Sequence, residues 1–143
     1  MGKKDLELAS ELSTVVTRLV KKLRKGSATG QQLSLTERTT LGLLNSGDML
    51  PSELAAAEKI TNQSMSQILS HLMELGLIFR TASETDKRKV IISLTEAGKQ
   101  MIQQVKSEKN EWLSAALEAT CTDEEQALIR KVLGPLSRVI DFE

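Results

Sequence analysis

The sequence predicts a mainly α-helical protein interrupted by one small β-hairpin. Three observations carry that prediction. Apolar residues recur at helical spacing in six separate segments. Between residues 77 and 94 this period gives way to two short runs rich in β-branched side chains. Aromatic residues make up only 2% of the 143 residues, with no tyrosine, so Leu, Ile, Val, Ala and Met must fill the core. That composition suits packed helices better than a β-sandwich, and the length is one domain's worth of chain.

Over residues 6–25, Leu8, Leu12, Val15, Leu19 and Leu23 fall at helical spacing, and Val16 and Val20 widen the stripe. Gly26 and the loop at 27–30 end it. Thr36 is the expected cap of a second short helix through Leu41, Leu43 and Leu44, closed by the turn cluster at 45–48. Pro51 suits the first position of a third helix, where its missing N–H would have no partner anyway. That helix ends near Ile60. Thr61 or Asn62 caps a fourth, which runs to Leu75 with Gly76 as its stop.

On this fourth helix Met65, Ile68, Leu69, Leu72 and Leu75 fall within one arc of about 120°. Gln63, Ser66, Gln67, Ser70 and Glu74 fall opposite, flanked by Ser64 and His71. The outward face is thus polar, short and nearly uncharged, where an ordinary solvated face carries Lys and Glu. Residues 77–81 and 89–94 read as strands of a hairpin whose polar tip spans 82–88. Thr95 caps a long helix through Ile102, Val105, Trp112, Leu113, Ala116 and Leu117. Thr122 and Glu125 form a capping box for the last helix, which Gly134-Pro135 is expected to kink.

Composition excludes several classes of function. The lone Cys121 allows no internal disulfide and no thiolate metal cluster, and with Asp123 nearby and no basic neighbour it reads as structural. No apolar run approaches the ~20 residues of a membrane span, and no apolar stretch follows Lys3 and Lys4 as a signal peptide requires. A cytoplasmic location is therefore expected. Catalysis is not: one His, one Cys and no Tyr offer little acid–base or nucleophilic chemistry, and the acidic residues show no metal-ligand spacing. Neither a metal nor a cofactor is expected.

The formal net charge is zero, from 19 basic and 19 acidic residues, but the charge is sorted along the chain. Residues 79–99 hold Arg80, Lys87, Arg88, Lys89 and Lys99 against Glu84, Asp86 and Glu96. Residues 46–78 hold Lys59 alone against Asp48, Glu53, Glu58 and Glu74.

A short helix joined by a tight turn to a polar-faced helix is what a helix-turn-helix requires. In that arrangement the second helix enters the DNA major groove, where amides pair with adenine and hydroxyls donate or accept. Gln63, Ser64, Ser66, Gln67, Ser70 and His71 are candidates for that contact, and Thr61, Asn62 and the first amides of the helix for phosphates. The hairpin adds a second contact as a wing. Lys87, Arg88 and Lys89 at its tip, with Arg80 on its first strand, suit phosphates or a narrow minor groove. Asp86 carries the wrong charge for DNA and is expected to orient Arg88 instead.

These residues also resemble a known family. Leu35-Thr36, Ser52-Glu53-Leu54-Ala55, the run Ile68 through Ile78, Arg80, Asp86-Lys87-Arg88 and Leu94-Thr95-Glu96-Ala97-Gly98-Lys99 are similar to the MarR family of bacterial transcription regulators. The likeness covers nearly the whole chain. It is most specific in the G-L-I-x-R strand entry, the D-x-R wing and the L-T-x-x-G-K helix start, taken together in that order. It implies a winged helix-turn-helix at residues 35–95 within a single 1–143 chain, with dimerisation helices at 5–26 and 96–143. The fourth helix becomes the recognition helix, and Asp86 and Arg88 the wing pair. Many relatives release DNA when a small aromatic or phenolic ligand binds near the junction of the two regions. One departure stands out: Ser66-Gln67 occupies the place where relatives often carry Thr-Arg, so a guanine-reading arginine is missing.

A homodimer also follows from the residues themselves. The terminal helices carry wide apolar stripes that the 35–95 unit cannot cover, and a symmetric copy supplies the cover. Such a dimer presents two recognition helices about 34–36 Å apart, matching a pseudo-palindromic operator in double-stranded DNA. A winged helix used for protein contact without DNA is the alternative reading, separable by duplex affinity.

Overall fold

The computed structural model describes residues 2–143. Its order is α1 (Lys3–Lys25), a 3-10 turn (Gly30–Gln32), α2 (Leu35–Asn45), α3 (Pro51–Glu58), α4 (Asn62–Glu74), β1 (Ile78–Ala82), β2 (Val90–Leu94), α5 (Glu96–Thr120) and α6 (Asp123–Ile140). The helices and the hairpin agree with the sequence-based expectation; the 3-10 turn lies in what reads as a plain loop. α1 starts three residues earlier than its apolar stripe suggests, because Asp5 accepts from the Gly2 amide and closes the first turn.

Ser34, and not Thr36, caps α2. Ser34 has extended backbone angles, its hydroxyl accepts from the Glu37 amide at 3.1 Å, and the Glu37 carboxylate accepts from the Ser34 amide at 2.8 Å. This reciprocal box satisfies two amides that the helix leaves without carbonyl partners. Thr36 lies within the first turn. α3 and α4 meet at a tight turn in which Lys59 adopts φ 57°, the left-handed region, at a cost of about 1–2 kcal/mol for a residue with a Cβ.

α4 is capped by Thr61, whose hydroxyl accepts from the Ser64 amide at 3.0 Å. Met65, Leu69 and Leu72 are buried and Ile68 is half-buried. Leu75 departs from the expected apolar arc and is 47% exposed. The helix has ended before it, and Gly76, at φ 74°, turns the chain so that Leu77 enters the core instead.

The core lies among α2, α3, α4 and the hairpin, built from Leu41, Leu44, Leu54, Met65, Leu72 and Ile92 with their neighbours. β1 and β2 pair antiparallel, with Ile78 opposite Leu94 and Arg80 opposite Ile92. Met49 adds a bridge to Ile92, so the hairpin is bonded back to the segment before α3.

The start of α5 is clasped to the turn that enters β1. The Thr95 amide donates to the Leu77 carbonyl at 3.0 Å, and the Thr95 hydroxyl donates to the Gly76 carbonyl at 2.6 Å and accepts from the Gly98 amide. Gly98 is buried against Leu77, and a Cβ there would lie 2.1 Å from the Leu77 carbonyl oxygen. α6 begins at the Thr122–Glu125 capping box and continues without a break through Pro135. α1 and α6 bury no residue, and Leu8, Val15, Leu19, Leu128, Val132 and Leu133 are among their exposed apolar side chains. Among the described residues no helix is long and apolar enough to cross a membrane.

Candidate nucleic-acid interface

The predicted base-reading residues share one open face. Gln63, Ser66, Gln67 and Ser70 are exposed on α4, opposite buried Met65, Leu69 and Leu72, and Asn62, the phosphate candidate, is exposed in its first turn. Among the described residues their side chains make no hydrogen bond within the chain, so their donors and acceptors face solvent. Ser64 is different, because its hydroxyl accepts from Thr61 at 2.9 Å and so belongs to the helix cap.

The wing is built by local hydrogen bonds. The Ser83 amide donates to the Lys89 carbonyl and the Lys89 amide to the Asp86 carbonyl, each at 2.9 Å. The Asp86 carboxylate accepts from the Arg88 amide at 3.1 Å and from Arg88 Nε at 3.3 Å. The Arg88 side chain stays 92% exposed, so Asp86 aims it without withdrawing it from solvent. As an exposed pair this bond contributes little to stability; its consequence is orientation. Lys87 and Lys89 are exposed beside it, and Arg80 is exposed on β1.

Helix and wing meet across a groove of about 410 Å³ lined by Leu50, Pro51, Ser52, Asn62, Arg88, Lys89 and Val90. The first turn of α4 and the cations of the wing thus border one surface. Residues 62–74 contain no Lys or Arg, so the positive charge on this surface comes from the wing.

His71 sits apart from the other α4 candidates. Its Nδ1 is bonded to the Glu37 carboxylate of α2, a partner 34 residues away that spacing along α4 could not reveal. The hydrogen bond to Glu37 raises the His71 pKa above its ordinary value, and the charges of Glu37 and Glu74 act in the same direction. Burial pushes the Glu37 carboxyl up, but hydrogen bonds from Ser34 and His71 outweigh it and hold the group below the usual carboxylate range. The S-x-x-E spacing of Ser34 and Glu37 is a visible capping signal; their link to α4 is not.

A second feature has no sequence signal. Between α2 and α5 lies a cavity of about 240 Å³, lined by Leu41, Met101, Ile102 and Val105 together with Arg38, Lys106 and Lys109. Burial, then the charge of Arg24, depresses the pKa of Arg38; burial, then the charge of Arg38, depresses that of Lys109. Arg38 Nη2 is buried without a hydrogen-bond partner. Among the described residues no group of His, Cys, Asp and Glu is arranged to hold a metal ion.

Comparison with known proteins gives a consistent picture. Residues 31–89 match the model of the MarR family. The chain is 30% identical over 138 residues to an uncharacterized HTH-type transcriptional regulator of Mycobacterium bovis, covering 96% of this chain and 95% of that one. It superposes on the crystal structure of a candidate transcriptional regulator from Pseudomonas aeruginosa with a TM-score of 0.88 and 30% identity, over the full length of both. The fold is shared with a MepR mutant of S. aureus bound to an oligodeoxyribonucleotide, at a TM-score of 0.71, 19% identity, 93% of this chain and 97% of that one.

Proposed function

Because the chain belongs to the MarR family and is a DNA-binding transcriptional regulator, we propose that it reads a pseudo-palindromic operator as a homodimer, with α4 in the major groove and the hairpin as a wing on the backbone. The observation that carries this reading is the pairing of two unlike surfaces across one groove. The face of α4 is hydrogen-bonding and almost uncharged, which suits base edges. The wing is cationic, with Arg88 pre-aimed by Asp86, which suits phosphates. The family supports the reading of a regulator, not an enzyme.

The two surfaces are separable by experiment. Arg88→Ala is expected to weaken binding to every duplex by about 1–3 kcal/mol per site and to lower the salt slope by about one unit for each phosphate no longer neutralised. Asp86→Ala is expected to do the same more weakly, because the arginine remains but is no longer held. Gln67→Ala is expected to lower discrimination at one operator position and its symmetry mate, with the salt slope nearly unchanged. Fluorescence anisotropy on a selected operator and a scrambled duplex, at several salt concentrations, measures all three. If Arg88→Ala binds both duplexes like the parent protein, the wing assignment fails.

The dimer rests on the uncovered apolar faces of α1 and α6, and the second copy would lie across both. The cavity between α2 and α5 is the place for an effector: small, largely apolar-walled and lined also by three cations, it suits an aromatic or apolar molecule bearing an anionic group. By linkage, such a ligand weakens DNA binding only if it prefers the DNA-free form. A screen of small aromatic acids against thermal stability and duplex affinity tests this; no shift in either removes the effector.

A further inference from the structure

The Glu37–His71 pair joins two parts of the molecule that DNA binding would hold in register. Glu37 lies in the first turn of α2 and His71 in the last turn of α4, and theirs is the only hydrogen bond between those helices among the described residues. One oxygen of Glu37 is fixed by the Ser34 amide, so the carboxylate has a set direction and the other oxygen holds Nδ1. The imidazole is nevertheless 49% exposed. With Nδ1 committed to Glu37, the ring nitrogen left for an outside partner is Nε2.

The protonation of that ring decides what Nε2 offers. In the neutral imidazole the proton stays on Nδ1, against the carboxylate, and Nε2 presents a lone pair that a phosphate oxygen repels. In the imidazolium Nε2 carries a proton and the ring a charge, so it donates to a phosphate as a charge-assisted hydrogen bond. The setting gives this weight. Residues 62–74 hold no Lys or Arg, so a protonated His71 is the only cation available to α4, and it offsets the carboxylate of Glu74.

We propose that His71 is a proton-gated phosphate contact of the DNA-binding surface, with Glu37 as the residue that orients its ring. This rests on α4 facing DNA, as proposed above. The titratable groups whose charges act on the ring are Glu37 from α2 and Glu74 one turn along α4, and both favour the charged form. The fold therefore holds the His71 proton more tightly than the unfolded chain does. The pair is intact below the ordinary histidine pKa of ~6.5 and is lost as pH rises through the raised value. At the other end it is lost as pH falls through the lowered pKa of Glu37. Between those limits the surface binds DNA best.

The test uses the full chain and a 30-base-pair duplex of random sequence at fixed low salt, since phosphate contacts are independent of sequence. Affinity is measured from pH 6 to 9 for the parent protein, His71→Gln and Glu37→Gln. In Glu37→Gln the amide oxygen can still accept from Nδ1–H as the carboxylate does, so a merely structural brace survives while the charge partner is removed. The parent protein is expected to lose affinity as pH rises, by about tenfold for each unit by which DNA lifts the His71 pKa. His71→Gln is expected to lack that component, and Glu37→Gln to keep it with its midpoint moved to lower pH. Because the chain has one histidine, its imidazole signal in an NMR titration needs no assignment. That midpoint should lie above ~6.5, rise further with duplex and drop in Glu37→Gln. A pH response identical in the parent protein and His71→Gln, or an imidazole midpoint that duplex leaves unmoved, overturns the phosphate contact alone. Failure of the parent protein to bind any duplex at any pH overturns the DNA-facing assignment of α4 together with it.

Discussion

Replacing Leu128 and Val132 together by glutamate is expected to convert a dimer into a monomer and to abolish high-affinity operator binding. The two side chains lie one turn apart on α6 and are 60% and 47% exposed in the single chain. A symmetric dimer uses each twice, so the interface is deprived of four apolar side chains. At about 1.5–3 kcal/mol for burying a fully exposed side chain, and with these two about half exposed, that removes roughly 3–6 kcal/mol of burial, before counting the larger cost of placing four carboxylates there. A micromolar dimer is held by only about 8 kcal/mol, so the interface does not survive. The core is untouched, because α6 buries no residue and contributes none to it. Light scattering behind gel filtration should give about twice the 15.7 kDa chain mass for the parent protein and the chain mass for the variant. A parent protein that runs as a clean monomer at micromolar concentration ends the dimer proposal outright.

Gly98→Ala is expected to be the most damaging single-methyl change in the chain. The added Cβ would sit 2.1 Å from the Leu77 carbonyl oxygen and 3.1 Å from its carbon. That oxygen is backbone and already accepts from the Thr95 amide, so it cannot swing aside as a side chain would. Either α5 lifts off the turn or the turn shifts, and β1 follows directly from that turn. A loss of roughly 3 kcal/mol is expected, at the upper end for overpacking and a large share of a domain's usual 5–15 kcal/mol. Gly42→Ala is the matched control: its Cβ would meet nothing within 4 Å, and in the interior of α2 it should add up to ~1 kcal/mol. Urea midpoints read both. Opposite signs are expected, and a Gly98→Ala protein as stable as the parent would show that the clasp yields freely.

Legibility from sequence follows the range of the interaction. α4 is readable because its apolar side is periodic and its cap is local, and the Asp86–Arg88 bond because its partners stand two positions apart. The hairpin is readable because β-branched runs flank a polar tip. Leu75 leaves the expected arc because periodicity does not mark where a helix yields to a glycine turn, and Leu77 takes its place in the core. Thr36 and Ser34 are both good caps by residue type, and only the reciprocal bond from Glu37 separates them. The link between His71 and Glu37 and the cavity beneath Arg38 are beyond reach, since each depends on how α2 packs against a distant helix. Asn62, Gln63, Ser64, Ser66, Gln67 and Ser70 stay together at the face of α4 or its first turn, while His71 is drawn toward α2.

The clasp at the start of α5 also has a mechanical meaning. α5 is a single helix of 25 residues, about 37 Å long at ~1.5 Å per residue, attached at one end to the turn that feeds the wing. At its other end it runs into the segment before α6, whose apolar face is open to a second copy. A stiff rod held this way is a lever. A tilt of about 5° about the Thr120 end carries the Glu96 end through roughly 3 Å, about the length of one hydrogen bond. If two copies meet on α6 and Arg88 holds a phosphate, as proposed, a rotation too slight to disturb their packing would be enough, at the far end of the arm, to lift Arg88 off it.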